Sequence, residues 1–264
     1  MLLTIIVPAA LLLLLRGLVI MLLWARSENA AFDRDFMYAL QQSNNTCVGF
    51  VLAHPDDESM FMTPFLDYLS EKSTAIPNFR LHMLTLSSGT LIKRSHICAA
   101  GNANGQGEQR KAELADLCEK YKITCMVIED KHLQDGPRPW IERIAVEHIQ
   151  EFIDATGCRF LVTFDEHGAS KHPNHISTHH SMKAVKALRP DLVMWKLMSH
   201  ELPAKYCPYI GLMNASYRGG RTITRYSPLK LLRNMFIHRS QLRWHVFLWS
   251  FFSVHAYTNT FSYM

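Results

Sequence analysis

A short apolar run at residues 47–53 (CVGFVLA) leads without a break into His54-Pro55-Asp56-Asp57-Glu58. One imidazole and three carboxylates within five positions, directly after a buried strand, are costly to hold together unless a cation sits among them. The placement constrains the fold. A strand that is apolar on both faces belongs in a sheet covered on both sides. In open sheets of that kind, ligands bind beyond the carboxyl ends of the strands, where this loop would stand.

The rest of the chain supplies the sheet. Apolar runs at 80–86, 124–128, 159–164 and 191–197 read as further strands, and segments 61–69, 108–121, 140–155 and 175–188 have helical spacing. Strands alternating with helices predict an α/β, Rossmann-like domain with a mostly parallel sheet and helices on both faces. A second polar cluster, His172-Pro173-Asn174-His175, follows the fourth strand, so the topology brings it to the same sheet edge as His54. Zinc suits imidazole nitrogen mixed with carboxylate oxygen, and a catalytic zinc takes three protein ligands and keeps one open position. One His and one Asp of the first loop leave a third ligand to find. His175 is the best candidate, with His172 three residues before it. The plainer alternative is that His172, His175, His179 and His180 form only the polar start of a helix.

Residues 2–24 are almost wholly apolar, a length that crosses a bilayer core as a helix, with Pro8 in its first half and Arg16 deep within it. No basic stretch precedes the run and no small-residue cleavage pattern follows it, against a signal peptide. Arg26 and Arg34 follow the run, and the positive-inside rule then places the main domain in the cytosol. The expected organisation is an N-terminal membrane anchor at 1–25, a juxtamembrane helix or linker at 26–45, and one domain at 46–264. A formal net charge of +5 is only mildly basic, and no Lys/Arg block alternates with aromatics. Nucleic acid is therefore not expected as a partner, whereas an anionic headgroup or membrane surface fits. The six cysteines include no CxxC pair and are expected as buried, reduced thiols. Residues 229–264, rich in aromatic and basic side chains, read as an amphipathic segment lying on the domain or on a membrane interface.

The chain resembles the PIG-L/LmbE-like zinc deacetylase family. Four stretches carry the likeness: Ala53-His54-Pro55-Asp56-Asp57-Glu58; Asn102-Ala103-Asn104-Gly105-Gln106-Gly107-Glu108-Gln109-Arg110; Thr163-Phe164-Asp165-Glu166-His167-Gly168 leading into His172-Pro173-Asn174-His175; and His238-Arg239-Ser240-Gln241. It spans residues 48–264 and is nearest to the eukaryotic branch that acts on N-acetylglucosaminyl-phosphatidylinositol. The resemblance implies metal-dependent removal of the acetyl group from that glycolipid at the endoplasmic reticulum membrane, the second step of glycolipid-anchor (GPI) biosynthesis. It implies that His54, Asp57 and His175 hold Zn2+ or a similar divalent metal. It makes Asp56 the general base, and gives His172 the oxyanion or the leaving amine. Arg110 would face the lipid phosphate, and Asp165 would orient a histidine. Two rivals stay open: a deacetylase of a soluble amino-sugar conjugate, which would need no tether, and a membrane-anchored binding protein without catalysis. His167 and Lys171 depart from the family's usual aromatic and small residues. Residues 90–101 look inserted, as a surface loop dispensable for folding.

Overall fold

The computed structural model describes residues 2–89, 106–225 and 228–264. The inserted stretch at 90–101 and the first half of the Asn102–Arg110 motif lie outside the described residues. Five strands run parallel: β1 (Cys47–Leu52), β2 (Arg80–Thr85), β3 (Ile123–Val127), β4 (Phe160–Phe164) and β5 (Val193–Leu197). Two more, β6 (Arg221–Thr224) and β7 (Thr258–Tyr263), extend the sheet in the order β3-β2-β1-β4-β5-β7-β6, with β7 antiparallel to both neighbours. The helices are α1 (Leu2–Gln42), α2 (Asp57–Ala75), α3 (Gly107–Tyr121), α4 (Glu142–Thr156), α5 (Gly168–Lys171), α6 (Pro173–Leu188), α7 (Pro208–Tyr217), α8 (Pro228–Met235) and α9 (Trp244–Phe252). Short 3-10 turns stand at Arg239–Gln241 and Val254–Ala256.

Every residue of β1 and of β4 is buried, so the sheet is covered on both faces as the apolar runs predict. The chain winds outward from β1 to β2 and β3, then crosses back to β4 and β5. The connections after β1 and β4 therefore leave in opposite directions and open a crevice between them. Both polar motifs sit in that crevice.

Three expectations need revision: the stretch at 26–45, the C-terminal segment and the thiols. The stretch at 26–45 is mostly the second half of α1, and it is part of the core: Phe32 packs on Trp195 with ring centroids 5.6 Å apart, and Phe36 on Tyr68 at 5.1 Å. Full burial of each ring contributes roughly 1.5–3 kcal/mol. The transmembrane reading of residues 2–24 falls largely on side chains outside the described ones, and among the described residues no helix is long and apolar enough to cross a membrane. The C-terminal segment is not wholly a surface one, because β7 enters the sheet and buries Phe261 opposite Leu197. The thiols differ as well: Cys47 is bonded to Cys158 and Cys118 to Cys125, and among the described residues Cys207 is free. Cys47 opens β1 and Cys158 lies two residues before the neighbouring β4, a proximity set by register that spacing in sequence does not reveal.

Candidate active site

The loop after β1 turns sharply. Asp56 has φ 105°, a conformation that costs a non-glycine residue strain and is held only where its surroundings fix it. Its N–H donates to Glu58 Oε2 (3.1 Å), and its Oδ1 accepts from Arg110 Nη2 (3.2 Å). Asp57 opens α2, and its Oδ2 accepts from the N–H groups of Ala53 (3.1 Å) and His54 (2.8 Å). That leaves Oδ1 free to face His175 Nε2 at 3.1 Å.

The loop after β4 brings the histidines. Gly168 has φ +60°, and a Cβ there would come within 2.6 Å of the His175 Cβ, so only glycine fits. Its carbonyl accepts from His175 Nδ1 (2.9 Å), which fixes that ring's tautomer and turns Nε2 toward Asp57. His172 caps α6: its Nδ1 accepts from the Asn174 N–H (3.2 Å), so in the neutral ring Nε2 carries the hydrogen. The ring nitrogens of His54, His172 and His175 converge to within 4.8 Å of one another.

The donors suit a metal ion. His54 Nε2 is buried and makes no hydrogen bond, with Asp135 Oδ1 3.3 Å away, and the paired His175 Nε2 and Asp57 Oδ1 stand beside it. An orphaned buried nitrogen is costly unless something fills the space it faces. Two imidazoles and one carboxylate form the ligand set of a catalytic divalent site with an open position. Burial would raise Asp57, but His175 and His54 beside it drive its pKa well below the usual carboxylate range. Burial pushes Asp56 up to about 6, with Arg110 opposing and Asp57 reinforcing the shift. Burial and the neighbouring His54 and His175 lower His172 to about 4.

The family's sequence profile, described as GlcNAc-PI de-N-acetylase (PIG-L), matches residues 50–187. The chain is 34% identical to a probable N-acetylglucosaminyl-phosphatidylinositol de-N-acetylase of Schizosaccharomyces pombe, over 80% of this chain and 84% of that one. The chain belongs to the PIG-L deacetylase family. A Bos taurus protein named N-acetylglucosaminyl-phosphatidylinositol de-N-acetylase is 30% identical over 81% of this chain and 82% of its own. The fold also resembles the N,N'-diacetylchitobiose deacetylase from Pyrococcus horikoshii, with a TM-score of 0.53 and 15% identity over 83% of this chain and 84% of that one. The chain is thus an enzyme of the PIG-L class, whose deacetylases are metal-dependent.

Within this PIG-L site, two predicted residues stand elsewhere than expected. Arg110 is buried, and its guanidinium donates to Pro55 O (2.9 Å) and Asp56 rather than facing outward. Asp165 bonds no ligand histidine. It accepts from the N–H groups of Ser199 and His167 and from the Ser199 hydroxyl, and its own carbonyl accepts from the Gly168 N–H. It shapes the turn whose carbonyl then orients His175. Asp135 is the acid that sequence reasoning missed, with Oδ1 3.3 Å from His54 Nε2 and 3.6 Å from His172 Nε2, and Oδ2 3.8 Å from Arg110. Its only sequence signal is an acid in an Asp-Gly-Pro turn after β3, at the same sheet edge. Glu58 and His238 form a fully buried pair at 2.6 Å. Burial alone would lower His238, yet contact with Glu58 raises it.

Proposed function

We propose that the chain hydrolyses the N-acetyl group of N-acetylglucosaminyl-phosphatidylinositol, giving glucosaminyl-phosphatidylinositol and acetate, the second step of GPI-anchor biosynthesis. The observation that carries the chemistry is the convergence of ring nitrogens of His54, His172 and His175 to within 4.8 Å of one another, with Asp57 Oδ1 3.1 Å from His175 Nε2 and Asp56 next to Asp57 on the same loop. The substrate follows from the relatives, which carry that name over four-fifths of this chain.

His54, Asp57 and His175 would hold Zn2+ or a similar divalent ion, which supplies an acidified water near neutral pH and polarises the acetyl carbonyl. Asp56 takes a proton from the attacking water as the new C–O bond forms. His172 Nε2–H donates to the carbonyl oxygen as it becomes anionic. A ring held neutral at pH 7 suits that role better than one charged before reaction. When the C–N bond breaks, the proton on Asp56 passes to the sugar nitrogen and acetate leaves. Arg110 keeps Asp56 in place and ionised. A cavity of about 230 Å3 lined by Ser87, Ser88, Ile128, Glu129, Asp130, Lys131 and Gln134, the residue before Asp135, suits the polar headgroup.

The glycolipid reading is supported by the apolar run at 2–24, which would tether the chain to the endoplasmic reticulum membrane with the domain in the cytosol. Glycan at the sequons of Asn44 or Asn214 in cells would establish the lumenal side. The activity is tested with purified full-length protein and the glycolipid. Acetate should appear, stop on chelation and return with zinc. Acetate release that a strong chelator leaves untouched would contradict the reading.

A further inference from the structure

Residues 202–264 contain eight Lys/Arg and no Asp or Glu, whereas the whole chain has 28 and 23. The net positive charge therefore resides in this last quarter, and the rest is slightly acidic. The same segment exposes large apolar side chains in an ordered pattern. On α9, Trp244, Phe247, Leu248, Phe251 and Phe252 are exposed, while Val246 and Ser250 are buried. The exposed set recurs at intervals of three and four, so it forms one face of the helix, turned away from the domain. A folded domain ordinarily turns such a stripe inward. Trp244 is 75% exposed, with Arg243 next to it also exposed.

The face lies beside the active site. Trp249, on the inner side of α9, donates its indole N–H to Met60 O (2.8 Å), at the start of α2. Its ring meets Phe61 at 5.6 Å, and Phe61 in turn meets the His175 ring at 5.6 Å. Two aromatic contacts thus connect α9 to a proposed metal ligand. Arg233 and Arg239, from the neighbouring α8 and 3-10 turn, are exposed too.

We infer that the outer face of α9, with the basic side chains around it, is a docking surface for an anionic lipid bilayer. It would seat the catalytic mouth against the membrane independently of the N-terminal apolar run. The inference rests on the glycolipid reading, because a substrate embedded in a bilayer requires the mouth to reach the headgroup layer. Apolar side chains that enter the acyl boundary, rimmed by arginines that meet lipid phosphates, are the recognised chemistry of interfacial helices. Exposed aromatics would also fit a protein partner, but residues 202–264 carry no side-chain carboxylate of their own and Arg233, Arg239 and Arg243 are exposed near the helix face, which favours an anionic sheet of headgroups.

The test uses the full chain reconstituted in vesicles of neutral lipid, with or without about one-fifth phosphatidylserine, some carrying bromine on their acyl chains. Bromine should quench the tryptophan emission of the wild type more than that of Trp244→Phe, a readout that needs no catalysis. The triple variant Trp244→Glu, Phe247→Glu, Phe251→Glu should raise KM for vesicle-embedded substrate by about tenfold or more. Its rate on substrate dispersed in excess detergent, its metal content and its melting temperature should match the wild type. Arg233→Glu with Arg243→Glu should remove the response to phosphatidylserine. Equal quenching in wild type and Trp244→Phe, or an unchanged KM in the triple variant, overturns the docking surface. A wild type inactive on both forms of substrate while Trp244-dependent quenching persists overturns the substrate reading alone.

Discussion

The parallel part of the sheet, β1 to β5 with its connecting helices, holds every residue proposed to touch the acetyl group or the metal. The segment 202–264 holds none of them, yet it carries all of the net positive charge and most of the exposed aromatics. The first region is acidic where it must gather a cation; the second is basic and apolar where it faces outward. They meet along a polar seam. Glu58 pairs with His238, Glu113 accepts from Ser240, and Asn259 holds the Phe65 N–H and the Phe61 carbonyl. Chemistry therefore belongs to the strand ends of one region, and its placement depends on the other.

The largest effects should come from removing a ligand in the parallel region. His54→Ala and His175→Ala should each lose most bound metal and reduce kcat/KM on the order of 10³-fold or more, since the ion supplies several kcal/mol of transition-state stabilisation. Metal analysis and acetate assay check this. Full metal retention in both variants would break the division between the regions at its root. Asp56→Asn should keep the metal and lower kcat by about 10²–10⁴-fold, the range for a lost general base. Unchanged turnover would remove Asp56 from the mechanism.

The seam comes next. His238→Ala leaves Glu58 buried without its partner, and breaking such a pair costs roughly 3–5 kcal/mol. Denaturant unfolding measures it. A cost near zero would mean that the C-terminal segment rests on the site without supporting it.

The smallest expected effect concerns Arg110. The acid limb of kcat/KM reports ionisation of the base, which must be deprotonated to act, so the rate falls as pH drops through its pKa. Burial raises Asp56 to about 6 and Arg110 opposes that rise, and a bound cation would pull the limb lower still. Arg110→Gln should move the limb to higher pH by on the order of one unit, since an adjacent cation lowers a carboxylate by about that much or more. A pH–rate profile shows it. A limb that stays in place would return Arg110 to the phosphate-facing role read from the sequence.

The sequence was readable where burial is apolar and opaque where it is polar. β1 to β5 are runs such as CVGFVL and FLVTF, which periodicity finds. β6 and β7 are RTIT and TNTFSY, and their buried positions include Thr222, Thr258, Asn259 and Thr260. These side chains satisfy one another and the backbone, as in the 3.0 Å contact between the Thr222 and Thr260 hydroxyls, so no hydrophobic pattern marks the strands. The site shows the same limit. His54, Asp57 and His175 stand out because charge crowds into short motifs. Asp135 does not, because it joins the cluster only through the fold. Asp165 was placed on the correct loop, but its partner, Ser199, comes from beyond β5, a contact that linear spacing cannot supply.

The central claim is that the loops after β1 and β4 build one metal site. X-ray absorption at the metal edge of purified protein tests it most directly. The account predicts about one ion per chain, with two imidazole nitrogens at about 2.0–2.1 Å and carboxylate or water oxygens completing the shell. Loss of one imidazole shell should follow His54→Ala and, separately, His175→Ala. A spectrum with sulfur neighbours, or one unchanged by both substitutions, would place the metal elsewhere and contradict the site described for this chain.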